Sequence, residues 1–451
     1  MESVSQLAKL GLFDARVPRY TSYPTAPHFG PAVTDRLFGD WISAIPSGTA
    51  VSLYLHVPFC RHLCWFCACR TQGTSTDAPV RAYAAALKSE IALLQTRLAP
   101  GIRLSRLHWG GGTPTLLPPD LIRELVAAIH DALPPTDETE FSVEMDPTEI
   151  DAARLDALFQ AGLGRVSIGI QDFAPEIQQA IGRQQGFDLT RRLVDDLRER
   201  GLKFLDTEIL VGLPHQTGPR LADSVQKLLS LAPDRVAVHP YAHVPAISRR
   251  QLMIATESIP RPEERLALFR TAQDLLLWDG FRPVGIDHFV HPGDGLARAQ
   301  QAGRLRRSFQ GYTDDRAEVL IGLGASAISR FPQGFAQNAP STSDHLKAIR
   351  GGHFSTARGH VLTDDDRLRG RMIEQLMCDF RINRAQILAR FALPPERLEA
   401  MFQAAAMAFP GMVAITGQGL EITEPGRPLT RMIARHFDAY APEAGRQTAG
   451  A

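Results

Sequence analysis

The sequence predicts an α/β protein built on parallel strands, followed by a smaller, mainly helical domain. Two observations carry this reading. From about residue 50, short β-rich runs alternate with helical stretches some six times, which implies parallel strands joined by helical crossovers, as a barrel or an open sheet. Beyond about residue 360 that period stops and helical patterning takes over. In either parallel architecture, functional groups belong at the C-terminal ends of the strands.

The elements follow in order. Residues 1–45 precede the repeat and contain an extended, proline-interrupted arm, RVPRYTSYPTAPHFGP (16–31). The strand runs are VSLYLHV (51–57), LSRLHW (104–109), EFSVEM (140–145), RVSIGI (165–170), FLDTEILVGL (204–213) and RVAVHPY (235–241), with FRPVGIDHF (281–289) as a further strand. Between them, 80–98, 119–133, 151–162 and 187–201 keep apolar residues three and four apart, and the last two end in glycine. The stretch FPQGFAQNAPSTSD (331–344) reads as loop, 364–380 as helix and MVAITGQGLEIT (412–423) as a small hairpin. These divisions predict an arm (1–45), a parallel α/β domain (46–345), a C-terminal domain (360–440) and a disordered tail (441–451).

Composition narrows the function. The chain has 451 residues, 44% hydrophobic and 22% charged, and its 49 Lys+Arg balance 49 Asp+Glu. No global field recruits nucleic acid or an acidic membrane. No uncharged apolar run reaches spanning length and no secretory leader opens the chain. The expectation is a cytoplasmic protein, monomeric, with neither nucleic-acid nor membrane partners. Of the basic residues 44 are Arg, a bias that base composition explains, although Arg also grips carboxylates with a planar fork.

Four of the five cysteines fall within ten residues: Cys60, Cys64, Cys67 and Cys69. Clustering of this kind points to metal chemistry rather than to disulfides. Three thiolates spaced C-x3-C-x2-C at a strand end can hold one face of a four-iron cluster, leaving one iron open to a chelating cofactor. A zinc site that also uses Cys69 is the alternative, but zinc favours paired C-x2-C arms with a longer loop between them. Cys378 stands alone and reads as a buried apolar residue. The second motif, Gly110-Gly111-Gly112-Thr113-Pro114-Thr115, follows the next strand. Its glycines let backbone approach a ligand and expose N–H groups, and it lacks the lysine of a P-loop. Glu144, Gln171, Arg183 and Glu208 stand near further strand ends; a carboxylate and an amide suit ribose hydroxyls, and an Arg suits a carboxylate.

The Cys loop and the Gly turn together resemble the radical S-adenosylmethionine enzymes. With PRYTSYPTA (18–26), LHWGGGTPT (107–115), IQDF (170–173), YAH (241–243), GIDHF (285–289), FQGYT (309–313) and AQN (336–338), the chain resembles the oxygen-independent coproporphyrinogen III oxidases over about 16–440. The resemblance implies an incomplete parallel β/α barrel of radical S-adenosylmethionine type, an N-terminal extended arm over the active site, and a small, mainly helical C-terminal domain. It implies that Cys60, Cys64 and Cys67 ligate a [4Fe–4S] cluster. It also implies that Tyr54, Gly111, Gly112, Thr113, Glu144, Gln171, Arg183 and Glu208 line one S-adenosylmethionine, and that Phe66, Ala242 and Ile328 touch a second. Arg19, Tyr20 and Tyr23 are candidate contacts to the substrate, coproporphyrinogen III, unless they serve only to pin the arm. The implied reaction converts two propionates to vinyl groups by way of a 5′-deoxyadenosyl radical. An electron donor such as a flavodoxin or ferredoxin is implied as a partner.

Two alternatives remain open at this point. One is a haem or iron–sulfur carrier paralogue without oxidase activity, which typically lacks Cys69 and the PRYTSYPTA arm; the other is a radical enzyme acting on another tetrapyrrole. The chain also departs from the family pattern in two places. Glu208 stands where Asp is usual, and His239-Pro240 precedes Tyr241 in place of a pair that includes Asn.

Overall fold

The computed structural model describes residues 2–13 and 17–440; the tail assigned to 441–451 lies outside them. The six expected strands are present as β1 (Ala50–Val57), β2 (Arg103–Gly111), β3 (Pro135–Met145), β4 (Leu163–Gln171), β5 (Phe204–Val211) and β6 (Arg235–Pro240). They pair in parallel in chain order. Helices such as Ala78–Gln95, Pro119–Ala132, Ala152–Gln160, Phe187–Glu199 and Gly218–Leu229 connect them.

Alternation along each strand sorts its side chains between two environments. Leu53, Leu55, Leu107, Trp109, Val143, Val166, Ile168, Leu205, Ile209 and Val236 are buried in one continuous core with Leu87, Ile91, Ile122, Ile129, Leu158, Leu197 and Val225 of the helices. The alternate positions are polar. Arg106, Glu140, Arg165, Asp206 and Arg235 carry ion pairs from strand to strand: Arg106–Glu140 at 3.4 Å, Arg165–Glu140 at 3.2 Å, Arg165–Asp206 at 2.7 Å and Arg235–Asp206 at 3.8 Å. Asp314 and Asp294 extend this row, bonded to Arg106 and Arg235. The row fills the inside of the sheet below the strand ends, where a charge without a partner would be costly.

The run 281–289 departs from the single strand expected. It divides into β7 (Arg282–Val284) and β8 (His288–Val290), antiparallel to each other, with β8 antiparallel to β6. Gly285, at φ +57°, turns the chain between them. The stretch 331–344, expected to be loop, is also different. After β9 (Leu320–Leu323), which pairs in parallel with β1 on its free side, come β10 (Ile328–Phe331), β11 (Gly334–Asn338) and β12 (Thr356–Val361), all antiparallel. Every residue of β11 is buried. Its Asn338 amide donates to Glu90 at 2.9 Å and to the Gly324 carbonyl at 2.9 Å, so a sequence rich in turn formers is held as strand by distant partners. The result is one twelve-stranded sheet in the order β12-β11-β10-β9-β1-β2-β3-β4-β5-β6-β8-β7. Its two ends remain apart among the described residues, as in an incomplete barrel.

The C-terminal part packs around a second core. Its longest helix, Asp364–Asp379, starts at a capping box in which Thr363 and Asp366 bond reciprocally. A three-stranded antiparallel sheet of Arg381–Asn383, Gly419–Ile422 and Val413–Thr416 joins the helices Pro395–Ala408 and Thr430–His436. The N-terminal 45 residues are not extended throughout, since Glu2–Lys9 and Asp35–Ser43 are helical on either side of the extended stretch. No helix among the described residues is long and apolar enough to cross a membrane.

Candidate active site

The Cys loop and the Gly turn lie side by side at the C-terminal ends of β1 and β2. The Gly112 amide donates to the Val57 carbonyl at 2.8 Å and the Thr113 amide to the Phe59 carbonyl at 2.7 Å, which draws the turn onto the chain just before Cys60. The contact leaves no room for side chains. A methyl group on Gly112 would fall 2.5 Å from the Phe59 carbonyl oxygen and 3.0 Å from Cys60 Sγ, and one on Gly111, at φ +119°, would meet the His56 ring at 2.6 Å. The motif thus requires glycine for close approach as well as for backbone freedom.

The loop is held at several further points. Phe59–Cys60 pairs in parallel with Gln72–Gly73, and the Trp65 amide donates to the Ile181 carbonyl at 2.9 Å. Ser248 donates to the Cys67 carbonyl at 2.9 Å, and the Gln251 amide bridges the carbonyls of Phe66 and Ala242 at 2.8 and 3.1 Å. Arg183 approaches Cys64 Sγ at 3.5 Å while also reaching Asp146 at 3.2 Å and the Gly169 carbonyl at 3.0 Å. The Cys69 amide donates to Cys67 Sγ at 3.4 Å.

These surroundings separate the thiols. Burial pushes Cys60 up to about 11 despite a hydrogen bond from Thr113. Cys67 is pulled down to about 6, chiefly by the Cys69 thiol that donates to it, with Arg250 and Arg183 contributing. The four thiols are free, with Cys60, Cys64 and Cys67 half-buried and Cys69 exposed. A loop that brings Cys64 and Cys67 under the influence of Arg183, and Cys60 and Cys67 under that of Arg250, has the donor chemistry and positive field that a thiolate-ligated iron–sulfur cluster needs.

Glu144, from the end of β3, accepts the Gly111 amide at 2.9 Å and lies 3.5 Å from His108 Nε2. Burial pushes its carboxyl up, but His108 and the Gly111 amide outweigh burial and hold it below the usual carboxylate range. His108 is oriented by Ser142 at 2.7 Å and stacks on Tyr54. The Tyr54 hydroxyl bonds His56 Nδ1 at 2.9 Å, leaving His56 Nε2 sealed from solvent without a hydrogen-bond partner. Gln171 adopts φ +65° at the end of β4, and Glu208 stands on β5 between Gly169 and Ala237 in register.

The predicted residues therefore gather around one rim. Phe66 and Ala242 meet through Gln251, whereas Ile328 reaches the rim by another route, its carbonyl lying against Gly322, the register partner of Tyr54. Tyr20 and Tyr23 differ from their candidate role as substrate contacts. Both are buried in the C-terminal core; Tyr20 donates to Asp438 at 2.9 Å and Tyr23 accepts the Ala439 amide at 2.8 Å. They pin the arm, and only Arg19 of the three remains exposed. His56, His108, Asp146 and Gln251 were missed from the sequence. The first two carry a readable signal, since each occupies the same strand face as a predicted residue or its register partner.

The comparisons with known proteins agree with this geometry. Residues 54–228 match the Radical SAM superfamily, and this site on a parallel α/β sheet defines the class: a radical S-adenosylmethionine enzyme, with a [4Fe–4S] cluster and S-adenosylmethionine as its cofactors. The chain is 76% identical over 440 residues to the oxygen-independent coproporphyrinogen III oxidase of Cereibacter sphaeroides, covering 98% of each chain. It is 62% identical to that of Paracoccus denitrificans over the full length of both. The solved structure of the Escherichia coli coproporphyrinogen III oxidase, described as a radical SAM enzyme, superposes with a TM-score of 0.89 at 35% identity, covering 94% of this chain and 97% of that one. The chain belongs to the oxygen-independent coproporphyrinogen III oxidase family.

Proposed function

We propose that the chain oxidatively decarboxylates two propionate side chains of coproporphyrinogen III to vinyl groups without oxygen, giving protoporphyrinogen IX. Each propionate loses one β-hydrogen, carbon dioxide and one electron. The observation that carries the reading is the seating of the Cys60–Cys67 loop on the Gly110–Gly112 turn, in a chain related over its whole length to oxidases of that name. The presence of Cys69 and of the PRYTSYPTA arm speaks against the carrier alternative.

Cys60, Cys64 and Cys67 would hold the cluster. Gly111, Gly112 and Thr113 would present backbone to the methionine end of S-adenosylmethionine, with Tyr54, Glu144, Gln171, Arg183 and Glu208 around the remainder. Phe66, Ala242 and Ile328 would meet a second molecule of it. Bound together, the cluster and S-adenosylmethionine supply a 5′-deoxyadenosyl radical able to remove an unactivated hydrogen. The chain's own work is positional. Arg183 spans Cys64 and Asp146 and so fixes the loop against β3, while His108 keeps Glu144 ionised for a hydroxyl or ammonium partner. The arm, fastened by Tyr20 and Tyr23, shields the mouth from water. A flavodoxin or ferredoxin would deliver the electron to a monomeric enzyme.

Anaerobic turnover of the reconstituted chain with coproporphyrinogen III, S-adenosylmethionine and a reductant tests this. Mass spectrometry is expected to show loss of two carbon dioxides with 5′-deoxyadenosine formed, and Cys64→Ala is expected to be inactive. Cleavage of S-adenosylmethionine with the porphyrinogen unchanged would refute the proposed substrate.

A further inference from the structure

Beside the cofactor rim stands a group of cations of which only Arg19 has a candidate role above, as a substrate contact. Arg307 belongs to the short strand Arg306–Ser308, Arg431 to the helix Thr430–His436, and Arg19 to the arm next to the pinned Tyr20. Three segments far apart in sequence thus bring guanidinium groups within electrostatic range of one another: Arg431 feels both Arg19 and Arg307. Like charges are not gathered this way without something to offset them.

The protein supplies little offset. The acidic group shared by Arg307 and Arg431 is Asp287, in the turn between β7 and β8. Asp287 is already occupied, with His288 Nδ1 at 2.7 Å and His239 Nδ1 at 3.5 Å. Burial pushes Asp287 up, but these two histidines, with a smaller contribution from Arg307, outweigh it and hold it far below the usual range. Arg307 stacks on the Tyr312 ring at 4.4 Å, yet its Nε and Nη1 are sealed from solvent and make no hydrogen bond. The Tyr312 hydroxyl donates to the Met377 carbonyl at 2.7 Å and accepts the Ile286 amide at 3.0 Å, so it has at most one lone pair left for the two nitrogens. Unpaired buried guanidinium nitrogens are costly, and a planar donor fork without an acceptor is shaped for a carboxylate.

The position relative to the cofactor rim is also set. Glu208 on the rim lies in register with Ala237, two residues before His239 at the end of β6, and His239 reaches Asp287 at 3.5 Å, with Arg19 acting on the same histidine. Asp287 and the cations grouped with it therefore lie one strand beyond the rim, Arg19 coming from the arm and Arg431 from the C-terminal helix.

We propose that Arg307 and Arg431, with Arg19 from the arm, form a cradle for substrate carboxylates, holding propionates that stay on the product. The proposal rests on the substrate reading above, since a substrate with four propionates presents carboxylates at opposite edges while two react. A carboxylate gripped by guanidinium is stabilised as the anion and is the harder to release as carbon dioxide, so the grip belongs on the propionates that remain.

The test uses the reconstituted full chain with two readouts. In anaerobic turnover, Arg307→Gln and Arg431→Gln are each expected to raise the KM for coproporphyrinogen III about 10- to 100-fold, the loss expected for a hydrogen-bonded charge pair, with kcat within about threefold. Arg431→Lys should recover part of the loss, and iron content and substrate-free cleavage of S-adenosylmethionine should match the wild type. In equilibrium binding, the fluorescent coproporphyrin III is expected to bind the wild-type chain at least tenfold more tightly than its tetramethyl ester, an advantage each glutamine variant loses. Iron-loaded glutamine variants that keep the wild-type KM and the free-acid preference would overturn the cradle. So would equal binding of acid and ester by the wild type, a result that needs no variant to fold. A fall in kcat at unchanged KM would also overturn it, placing the grip on the reacting carboxylate. A wild type that cleaves S-adenosylmethionine but does not convert coproporphyrinogen III overturns the substrate reading, and the cradle's ligand with it. Decarboxylation with an unmoved KM in the variants overturns the cradle alone.

Discussion

Gly112 shows how little freedom single positions have at this site. With the Phe59 carbonyl 2.5 Å and Cys60 Sγ 3.0 Å from where a methyl would lie, Gly112→Ala must displace the Cys loop. We expect a folded protein by circular dichroism that retains less iron after reconstitution and turns over about 100-fold more slowly, the scale of a one-ångström misplacement. Glu144 offers a second check. Because His108 and the Gly111 amide hold its carboxyl ionised against the effect of burial, S-adenosylmethionine binding should persist as pH falls from 8 through the lower end of the usual range. His108→Ala leaves burial opposed by less and raises the carboxyl's pKa. Its affinity should then weaken as pH falls, by about tenfold at pH 5.5 relative to pH 8, as equilibrium dialysis would report. Cys60, Cys64, Cys67 and the three glycines were legible in the sequence because their chemistry depends on local spacing. Asp146 and Gln251 were not, since their importance comes from partners that the fold supplies.

At the scale of elements, strands β1 to β6 were legible because alternation repeats on every one of them, with apolar residues toward the helices and polar residues inward. β11 was not. Its GFAQN composition reads as turn, and its place in the sheet depends on Glu90, 248 residues away from Asn338. The arm was legible as an extended element but its tyrosines were not placed, because their partners Asp438 and Ala439 lie at the far end of the chain. Tyr20→Phe removes a hydrogen bond to a carboxylate, and we expect a loss of about 1–2 kcal/mol in arm docking. Limited trypsin digestion after Arg19 should accelerate correspondingly. Unchanged cleavage would mean that the Tyr20 ring, buried in the C-terminal core, suffices without its hydroxyl.

For the molecule as a whole, stability has a titrating contribution behind the sheet. Glu90 is buried and accepts bonds from the Gly324 amide at 2.8 Å and from Asn338, yet burial dominates and pushes it up to about 8. His345, 3.7 Å away, gives no counter-charge, because burial pulls it down to about 4 and leaves it neutral. Between the ordinary carboxyl value of 4.5 and about 8, the folded chain holds a proton that the unfolded chain has released. The contribution of this group is therefore fully present below about 4.5 and is lost as pH rises through 8. The expected loss across that window is about 5 kcal/mol. Urea midpoints at pH 5, 7 and 9 check this: the wild type should lose stability relative to Glu90→Gln, which has no such proton, and parallel profiles would refute it.

The attachment of Tyr20 and Tyr23 to residues 438–440 also fixes an order of events during synthesis. A ribosome delivers the arm first and its fastening more than 400 residues later. Until that fastening emerges, the twelve-stranded sheet can form with the arm untied, since its last strand ends at Val361. The arm's place is therefore set last, when the C-terminal segment has been made.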